Sequence, residues 1–257
     1  MDTNERVTMD AFRPIEAQEK TERQLREELA AAYRIFDYLG WTLLIYGHLT
    51  VRIPGPERHF LINPFGLLYH EVTASNLVKV DIDGNIVGRS EYRVNPAGWV
   101  IHGAIHDMRD DVQCIMHQHT PGGTAIAAMK HGLGGNDFYS IALQRQVGYH
   151  DFEGVTFRSE ERMRLAASLG NKNYLILRNH GILSCGRTVA AAFNRFHKLE
   201  IGCMAQWRAQ ASGAELVTPS DEVCERHAQD LEATMEHELS FKALVRLMER
   251  RDPSFRS

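Results

Sequence analysis

The spacing of apolar residues changes along the chain, and each change predicts a different kind of element. From Ile15 to Leu39, apolar side chains recur every three or four residues with Glu and Arg between them. This pattern predicts an amphipathic helix that ends at Gly40. Residues 41–94 instead contain short alternating runs separated by Pro-Gly and Asp-Gly turns, which predict a hairpin-rich set of strands.

Cap residues and buried runs predict the elements of the second half. Asn95 and Thr120 each precede a proline, a combination typical of helix starts, and predict helices over 95–108 and 120–130. Further caps and short apolar runs follow. They predict strands at 112–116, 174–177 and 182–183, and helices at 159–169, 188–211 and 219–248.

Strands mixed with helices, and several hairpins among them, predict an α/β fold with a mixed sheet. Residues 1–14 are polar and predict a flexible lead-in. We expect one domain over 15–250 that includes the C-terminal helices, because the only linker-like segment, 212–219, simply joins two helices. Residues 251–257 are expected to form a tail.

Composition and charge favour an intracellular protein with a small-molecule substrate. The chain has 257 residues, 44% of them hydrophobic, and a net charge of −4, so no basic face for nucleic acid is expected. No apolar run approaches the roughly 20 residues of a membrane span, and the polar N-terminus lacks the apolar segment of a secretory signal. Four cysteines without a Cys-x-x-Cys pair predict reduced, buried thiols. We therefore expect a cytoplasmic protein with neither nucleic-acid nor membrane partners.

Three histidines form a candidate metal site. His117 and His119 follow a predicted strand, where residues two apart point to the same side, and His180 follows another strand and precedes Gly181. Three neutral imidazoles with an open fourth position suit a catalytic zinc ion. A His-x-His pair also arises by chance in a chain with 13 histidines, so the spacing alone leaves both interpretations open.

Separate motifs in a fixed order resemble the class II aldolase/adducin family. Asn95–His106 reads NPAGWVIHGAIH, Asp111–Thr120 reads DVQCIMHQHT, and Leu177–Ile182 reads LRNHGI. Upstream, Phe60–Gly66 and Leu77–Asn85 fit the same pattern, so the resemblance covers roughly residues 20–240. The Asn-Pro-Ala-Gly string is similar to the adducin-like branch.

The resemblance implies a three-layer α/β/α domain and a homotetramer whose active sites lie between neighbouring subunits. It implies that His117, His119 and His180 hold one divalent metal ion per subunit. Zinc is expected first, with manganese, cobalt, nickel and iron as alternatives. In the family's sugar-phosphate aldolases this metal is a Lewis acid that stabilises an enediolate.

The catalytic carboxylate of those aldolases has no counterpart in this chain. They carry Ser-Ser-Glu at a fixed distance before the two histidines, and the gap-free count falls on Pro96, Ala97 and Gly98. Gly98 can neither move a proton nor bind a metal. Pro96 and Ala97 cannot donate side-chain hydrogen bonds to a phosphate, so we predict an unphosphorylated substrate.

The remaining substrate contacts also differ from the phosphate-binding pattern. The family's Gly-Asn turn reads Gly47-His48, and a position usually occupied by Thr or Ser before a glycine is Phe65. A buried phosphate without hydrogen-bond donors would be costly, so these losses agree with one another. The predicted substrate-site residues are Gly47, His48, Asn63, Phe65, Gly66 and Asn95.

Two residues are candidates to replace the missing carboxylate. His102 lies one turn beyond Gly98 on the same helix and is predicted either to face the metal or to orient and pack its neighbours. Tyr139 lies near a loop tyrosine that, in the family, reaches a neighbouring site as a proton donor, although the gap-free count falls on Phe138. His106 continues the face of His102, and we expect it at a subunit contact.

The hypothesis that the sequence favours is a metal-dependent carbon–carbon lyase. It would cleave or decarboxylate an unphosphorylated oxo- or hydroxy-acid through a metal-stabilised enolate. An epimerase with the same chemistry is less favoured because it normally needs the lost phosphate site. The other alternative is a non-catalytic, adducin-like oligomeric module. Actin and spectrin are not expected as partners, because the chain ends at Ser257 without a basic tail.

Overall fold

A mixed sheet forms the centre of the molecule, described in a computed structural model over residues 20–155, 160–233 and 236–257. The strands are β1 (His48–Arg52), β2 (Phe60–Ile62), β3 (Val78–Val80), β4 (Cys114–Gln118), β5 (Val147–His150), β6 (Tyr174–Leu177) and β7 (Gly181–Gly186). The helices are α1 (Glu22–Tyr38), α2 (Pro96–Met108), α3 (Pro121–Ala127), α4 (Phe138–Leu143), α5 (Glu161–Leu169), α6 (Val189–Ala211), α7 (Asp221–Ala233) and α8 (His237–Arg251).

The sheet is mixed, as predicted, and largely antiparallel. Its strand order is β3-β2-β1-β4-β7-β6-β5, and among the strands of the described residues only the β5–β6 pair is parallel. The central pairs β1–β4 and β4–β7 determine the site. In their register, His48 is the partner of His117, and His117 is also the partner of Leu183.

Alternation along the strands divides the apolar core into two layers. Cys114 and Met116 belong to the core that contains residues of α1 and α6, whereas Ile115 belongs to the core formed with α2 and α5. Side chains two residues apart share a face of a strand, so His117 lies on the α2 side with Ile115. Helices cover both faces of the sheet, and the three-layer α/β/α architecture is confirmed.

Helix bounds follow the predicted caps, with differences where the sequence signal is weak. Thr21 and Gln24 form a capping box at the start of α1, while residues 15–19 of the predicted helix lie outside the described residues. The predicted cap Ser159 also lies outside them. We did not predict α4 or β5, because α4 is only six residues long and Gly148 interrupts the apolar run of β5. The predicted helix over 219–248 is instead two helices, α7 and α8.

The C-terminal residues pack against the domain rather than forming a tail, so that expectation is wrong. Phe255 is fully buried in the α1/α6 core, within a 3₁₀ turn over Pro253–Arg256. The backbone N–H of Ala74 donates to the Phe255 carbonyl at 2.8 Å, and that of Ser75 donates to Ser257 at 2.8 Å. This aromatic anchor and the backbone hydrogen bonds together hold the otherwise polar segment against the domain.

The cysteines and the helices of the described residues agree with what the composition predicts. All four cysteines are free and buried, as expected for reduced thiols. Among the helices that the structure describes, none is long and apolar enough to cross a membrane.

Candidate metal centre

The sheet brings His117, His119 and His180 together. His117 lies within β4, His119 follows its end, and His180 lies in the turn between β6 and β7. Their ligand nitrogens all lie within 4.8 Å of one another. The pairwise ring-centroid distances are between 4.6 and 5.0 Å. The three predicted ligands therefore form one cluster.

The geometry of the cluster fits a small divalent cation. His117 Nε2 and His119 Nε2 are 3.1 Å apart, close to the roughly 3.3 Å that tetrahedral zinc with Zn–N bonds of about 2.0–2.1 Å would require. His117 Nδ1–H donates to the Ile182 carbonyl at 3.0 Å. That hydrogen bond fixes the tautomer and leaves the Nε2 lone pair for a metal.

Backbone geometry at the β6–β7 turn allows the close approach of these histidines. Asn179 has a φ of 55°, in the left-handed region that asparagine tolerates. A Cβ at Gly181 would lie 2.7 Å from the Gln118 carbonyl and 3.0 Å from His119 Cδ2. A larger residue than glycine at this position would push the two metal-ligand segments apart.

A buried carboxylate supports the segment that follows His119. Glu200 of α6 accepts hydrogen bonds from the Thr120 hydroxyl and from the backbone N–H groups of Gly122 and Gly123. Burial raises the pKa of Glu200, while these donors oppose the shift. Glu200 thus caps the N-terminus of α3. Sequence reasoning missed it, because a Glu within a helix reads as a solvent-facing residue.

The electrostatics keep the imidazoles neutral, as metal ligands must be. Burial lowers the pKa of His117 well below its ordinary value, and the neighbouring histidines lower it further. Burial also lowers the pKa of His119, and it lowers that of His180, together with His119 and His150, to about 4. The cluster can therefore accept a cation without first losing protons at neutral pH.

These pKa shifts predict acid sensitivity of the metal-free protein. The unfolded chain takes up protons at histidine near pH 6.5, whereas folded His180 does so near pH 4 and folded His106 near pH 3. The free energy of unfolding should thus be highest above about pH 6.5. It should decrease as the pH falls, by up to about 1.4 kcal/mol per pH unit for each such histidine. Urea unfolding at about pH 7.5 and about pH 5.5 measures this, and a flat profile would contradict it.

His48 fills the space beside Gly98 that a carboxylate side chain would need. A Cβ at Gly98 would lie 2.5 Å from His48 Cδ2 and 2.8 Å from its Nε2. The His48 ring is 5.0 Å from the His117 ring, centroid to centroid, and the residue is only 4% exposed. Gly98 and His48 are therefore complementary, a relation that neither residue reveals alone.

His102 reaches the centre through His48 and not directly. His102 Nε2 is 2.9 Å from His48 Nδ1, and His102 Nδ1 is 2.7 Å from the Thr50 hydroxyl. The same hydroxyl is 2.9 Å from His106 Nε2. His106 is fully buried against the Phe60 ring, so the expectation of a subunit contact is wrong.

The residue spacings of β1 and α2 match, and this places the hydrogen-bonded side chains opposite one another. His48 and Thr50 are two residues apart on one face of a strand, and Gly98, His102 and His106 are four apart on one face of a helix. Two strand residues advance about 6.7 Å and four helix residues about 6.0 Å, so the two polar stripes remain opposite each other. These two stripes were the sequence signal that could have revealed the buried chain.

The other predicted substrate residues shape the backbone around the centre. Gly47 and Gly66 have φ values of 83° and 110°, and Gly47 packs against the Gln118 side chain. Asn63 is buried, and its Oδ1 accepts from the Tyr33 hydroxyl at 3.0 Å. The Phe65 backbone N–H donates to the Arg93 carbonyl, as part of an isolated bridge. Asn95 Oδ1 accepts from the Ala97 N–H at 3.1 Å and caps α2.

Among the described residues, Tyr139 makes no hydrogen bond or ring contact with the three histidines of its own chain. It is on α4, where it packs against Phe138 and lines a cavity of about 320 Å³ with His197 and Lys198 of α6. A role for Tyr139 in catalysis remains a prediction, and it would have to involve the centre of a neighbouring subunit.

Two solved structures are similar to this chain in fold and sequence, and a curated relative is similar in sequence. An aldolase II superfamily protein from Pseudomonas syringae superimposes with a TM-score of 0.87 at 45% identity, covering 92% of this chain and 96% of the other. L-fuculose 1-phosphate aldolase from Glaciozyma antarctica PI12 gives a TM-score of 0.83 at 29% identity, covering 97% and 99%. Rat alpha-adducin is 47% identical over 199 residues, which are 76% of this chain and 27% of alpha-adducin.

The sequence profile described as the Class II Aldolase and Adducin N-terminal domain matches residues 27–207. That segment contains the three histidines and both polar stripes. This match, and the 45% identity to the Pseudomonas syringae protein over most of both chains, establish that the chain belongs to the class II aldolase/adducin family.

Proposed function

We propose that this protein is a divalent-metal-dependent carbon–carbon lyase that acts on an unphosphorylated oxo- or hydroxy-acid. The observation that carries the proposal is the cluster of His117, which is buried, with His119 and His180, which are half-buried; the ligand nitrogens of these neutral imidazoles lie within 4.8 Å of one another. Three protein ligands leave a coordination position for substrate, which is typical of catalytic sites and not of structural ones.

Zinc is the proposed ion, with manganese, cobalt, nickel and iron as alternatives, because imidazole ligands suit them all. A divalent cation held by the three histidines would supply a Lewis acid that stabilises negative charge on substrate oxygens when a carbon–carbon bond breaks. The protein itself contributes the fixed His117 tautomer, the Gly181 turn and the Glu200 cap that hold the ligands in place.

Several features favour a substrate without a phosphate. The Glaciozyma antarctica neighbour is named as a 1-phosphate aldolase. In this chain the positions expected to hold phosphate carry Pro96, Ala97 and Phe65, whose side chains have no hydrogen-bond donors. A phosphate dianion buried beside them would lack partners, at a cost of several kcal/mol or more by order of magnitude.

Decarboxylation needs less from the protein than retro-aldol cleavage does. Retro-aldol cleavage requires a base for a substrate hydroxyl, whereas decarboxylation requires only an electron sink and a later proton donor. Gly98 removes the usual carboxylate, and the His48 ring occupies the adjoining space. We therefore favour decarboxylation of an oxo- or hydroxy-acid, with retro-aldol cleavage as the second reaction that this site could support.

Paired inhibitors test the proposed substrate class. We expect zinc-loaded protein to bind glycolohydroxamate at least as tightly as phosphoglycolohydroxamate, because the phosphate finds no donors. Calorimetry measures both affinities, and His180→Ala should weaken both equally because it removes a metal ligand. If the phosphorylated compound binds more than about tenfold tighter, a difference of about 1.4 kcal/mol, the unphosphorylated assignment is wrong.

A non-catalytic, adducin-like module is the second candidate. The absence of a carboxylate at Gly98 and the 47% identity to rat alpha-adducin favour it. The two candidates differ in turnover: the lyase releases carbon dioxide or an aldehyde from some hydroxy- or oxo-acid in a metal-dependent way, and the module releases neither. A screen of such acids with zinc-loaded and chelator-treated protein separates them.

We also propose a cytoplasmic homotetramer. Large apolar side chains remain exposed on the single chain, among them Phe138 at 59%, Phe152 at 56% and Met163 at 77%. Exposed apolar side chains of this size are typical of surfaces that are covered in an assembly. Light scattering during size-exclusion chromatography should give four times the mass of one chain, and a monomer mass would refute the proposal.

A further inference from the structure

His48, His102, Thr50 and His106 form a buried hydrogen-bonded chain, and their contacts limit which atoms donate and which accept. The Thr50 hydroxyl has one proton but contacts two ring nitrogens, at 2.7 Å on His102 and 2.9 Å on His106. It can donate to only one of them, so the other nitrogen must carry a proton and donate to the Thr50 oxygen. Each ring holds a single proton, because burial lowers the pKa of His102 well below its ordinary value and that of His106 to about 3.

Two arrangements satisfy every contact when the Thr50 proton lies within the hydrogen-bonded chain. If Thr50 donates to His106 Nε2, then His102 Nδ1–H donates to Thr50, His48 Nδ1–H donates to His102 Nε2, and His48 Nε2 carries a lone pair. If Thr50 donates to His102 instead, every bond reverses and His48 Nε2 carries the proton. The direction of the Thr50 hydroxyl therefore determines what His48 presents to the metal centre.

The His106 end of this hydrogen-bonded chain favours the first arrangement. In that arrangement the proton of His106 is on Nδ1. This nitrogen has no partner in normal hydrogen-bond geometry among the described residues. The nearby Val112 backbone nevertheless raises the pKa of His106 against the larger lowering by burial, as a carbonyl oxygen close to the ring does. A carbonyl oxygen beside the ring favours an N–H at its free nitrogen over a second lone pair.

The His48 end, beside the three metal-ligand histidines, favours the same arrangement for an independent reason. His48 lies against His117, with ring centroids 5.0 Å apart. The His117 hydrogen bond to Ile182 already directs a lone pair into the centre. An N–H on His48 Nε2 would direct positive charge toward a site built for a cation, whereas a lone pair would not.

We propose that Thr50 donates to His106, so that the chain fixes His48 with its proton on Nδ1 and its Nε2 as an acceptor for a substrate hydroxyl. This inference rests on the proposed function and narrows its substrate class to acids that carry a free hydroxyl group. His48 is buried, and its Nε2 has no hydrogen-bond partner among the described residues, so this nitrogen is available to a ligand. His102, Thr50 and His106 are positioning residues.

An acceptor at this position would also disfavour a phosphorylated substrate. Phosphate oxygens are themselves acceptors at neutral pH and cannot pair with a lone pair on His48 Nε2. A hydroxyl can donate to it. The tautomer of one buried imidazole would therefore contribute to selection against phosphate and in favour of an alcohol.

Neutron diffraction from crystals of the zinc-loaded full chain, exchanged into heavy water, tests the tautomer directly. We expect deuterium on His48 Nδ1, on His102 Nδ1, on His106 Nδ1 and on the Thr50 oxygen toward His106. Deuterium on His48 Nε2 overturns the inference, whether or not Nδ1 also carries one. This readout does not depend on turnover. A protein with the expected deuterium positions but without lyase activity would therefore refute the proposed function and still support the inferred His48 tautomer.

Matched variants of Thr50 test what the tautomer does. Thr50→Val keeps the shape and removes the hydroxyl, whereas Thr50→Ser keeps the hydroxyl. The probes are lactate and pyruvate, which differ only in a hydroxyl against a carbonyl. We expect zinc-loaded wild type and T50S to favour lactate by about two- to tenfold, the worth of one hydrogen bond, and T50V to lose that preference. An unchanged ratio of affinities in T50V would overturn the inference.

Discussion

Replacing His117 by alanine should abolish stoichiometric metal binding. His117 is fully buried, its Nδ1–H is held by the Ile182 carbonyl, and its Nε2 lies 3.1 Å from that of His119. Loss of one of three protein ligands leaves two, too few for a stable site of this type. Elemental analysis of dialysed protein should give about one metal ion per chain in the wild type and near zero in the variant, and any lyase turnover should disappear with the metal.

An exposed histidine provides the control for this prediction. His131 lies on the surface in the loop after α3, and His131→Ala should retain both the metal and the melting temperature of the wild type. Circular dichroism of metal-free H117A should resemble that of metal-free wild type, which separates loss of a ligand from loss of the fold. A full complement of metal in a folded H117A variant would exclude the three-histidine site.

Gly98→Ala should destabilise the protein even though alanine is the better helix former. In an ordinary helix position this change is worth about 1 kcal/mol in favour of alanine. Here the added methyl group would lie 2.5 Å from His48 Cδ2, against a ring that His102 and His117 surround. Overpacking of this kind typically costs about 1–3 kcal/mol, so urea unfolding of the metal-free protein should detect a net loss.

The effect should change sign when His48 is removed. In a His48→Ala background the methyl group has room, so Gly98→Ala should be neutral or stabilising there. The double-mutant cycle over the two positions should give a coupling energy of at least about 1 kcal/mol. Equal effects of Gly98→Ala in both backgrounds would mean that the His48 ring does not restrict residue 98.

The metal-ligand prediction rests on residues that the sequence identifies, whereas the Gly98 prediction rests on packing that the sequence does not reveal. The three ligands were predictable because His-x-His at a strand end places two imidazoles on one side, and Asn179-His180-Gly181 marks a tight turn. The pairing of His48 with His117 was not predictable, because strand order and register depend on contacts between distant segments. The same limit hid Glu200, which lies 77 residues or more from the groups that it caps.

Local patterns alone determined much of this protein. Cap residues determined where α2 and α6 begin, and short, continuously apolar runs determined the strands β4 and β6. The motif order and the three histidines determined the family and its candidate metal ligands. Each of these is encoded within a few adjacent residues, so it can be recognised without knowing what packs against it.

Only the tertiary structure decided what stands where the catalytic carboxylate is missing. The sequence reveals the loss at Gly98, and the structure reveals that His48 occupies the adjoining space, backed by His102, Thr50 and His106. The physical reason is the matching rise of β1 and α2, which aligns two polar stripes that are about fifty residues apart in the chain. Burial of those stripes between a strand and a helix then turns isolated histidines into one connected hydrogen-bonded chain.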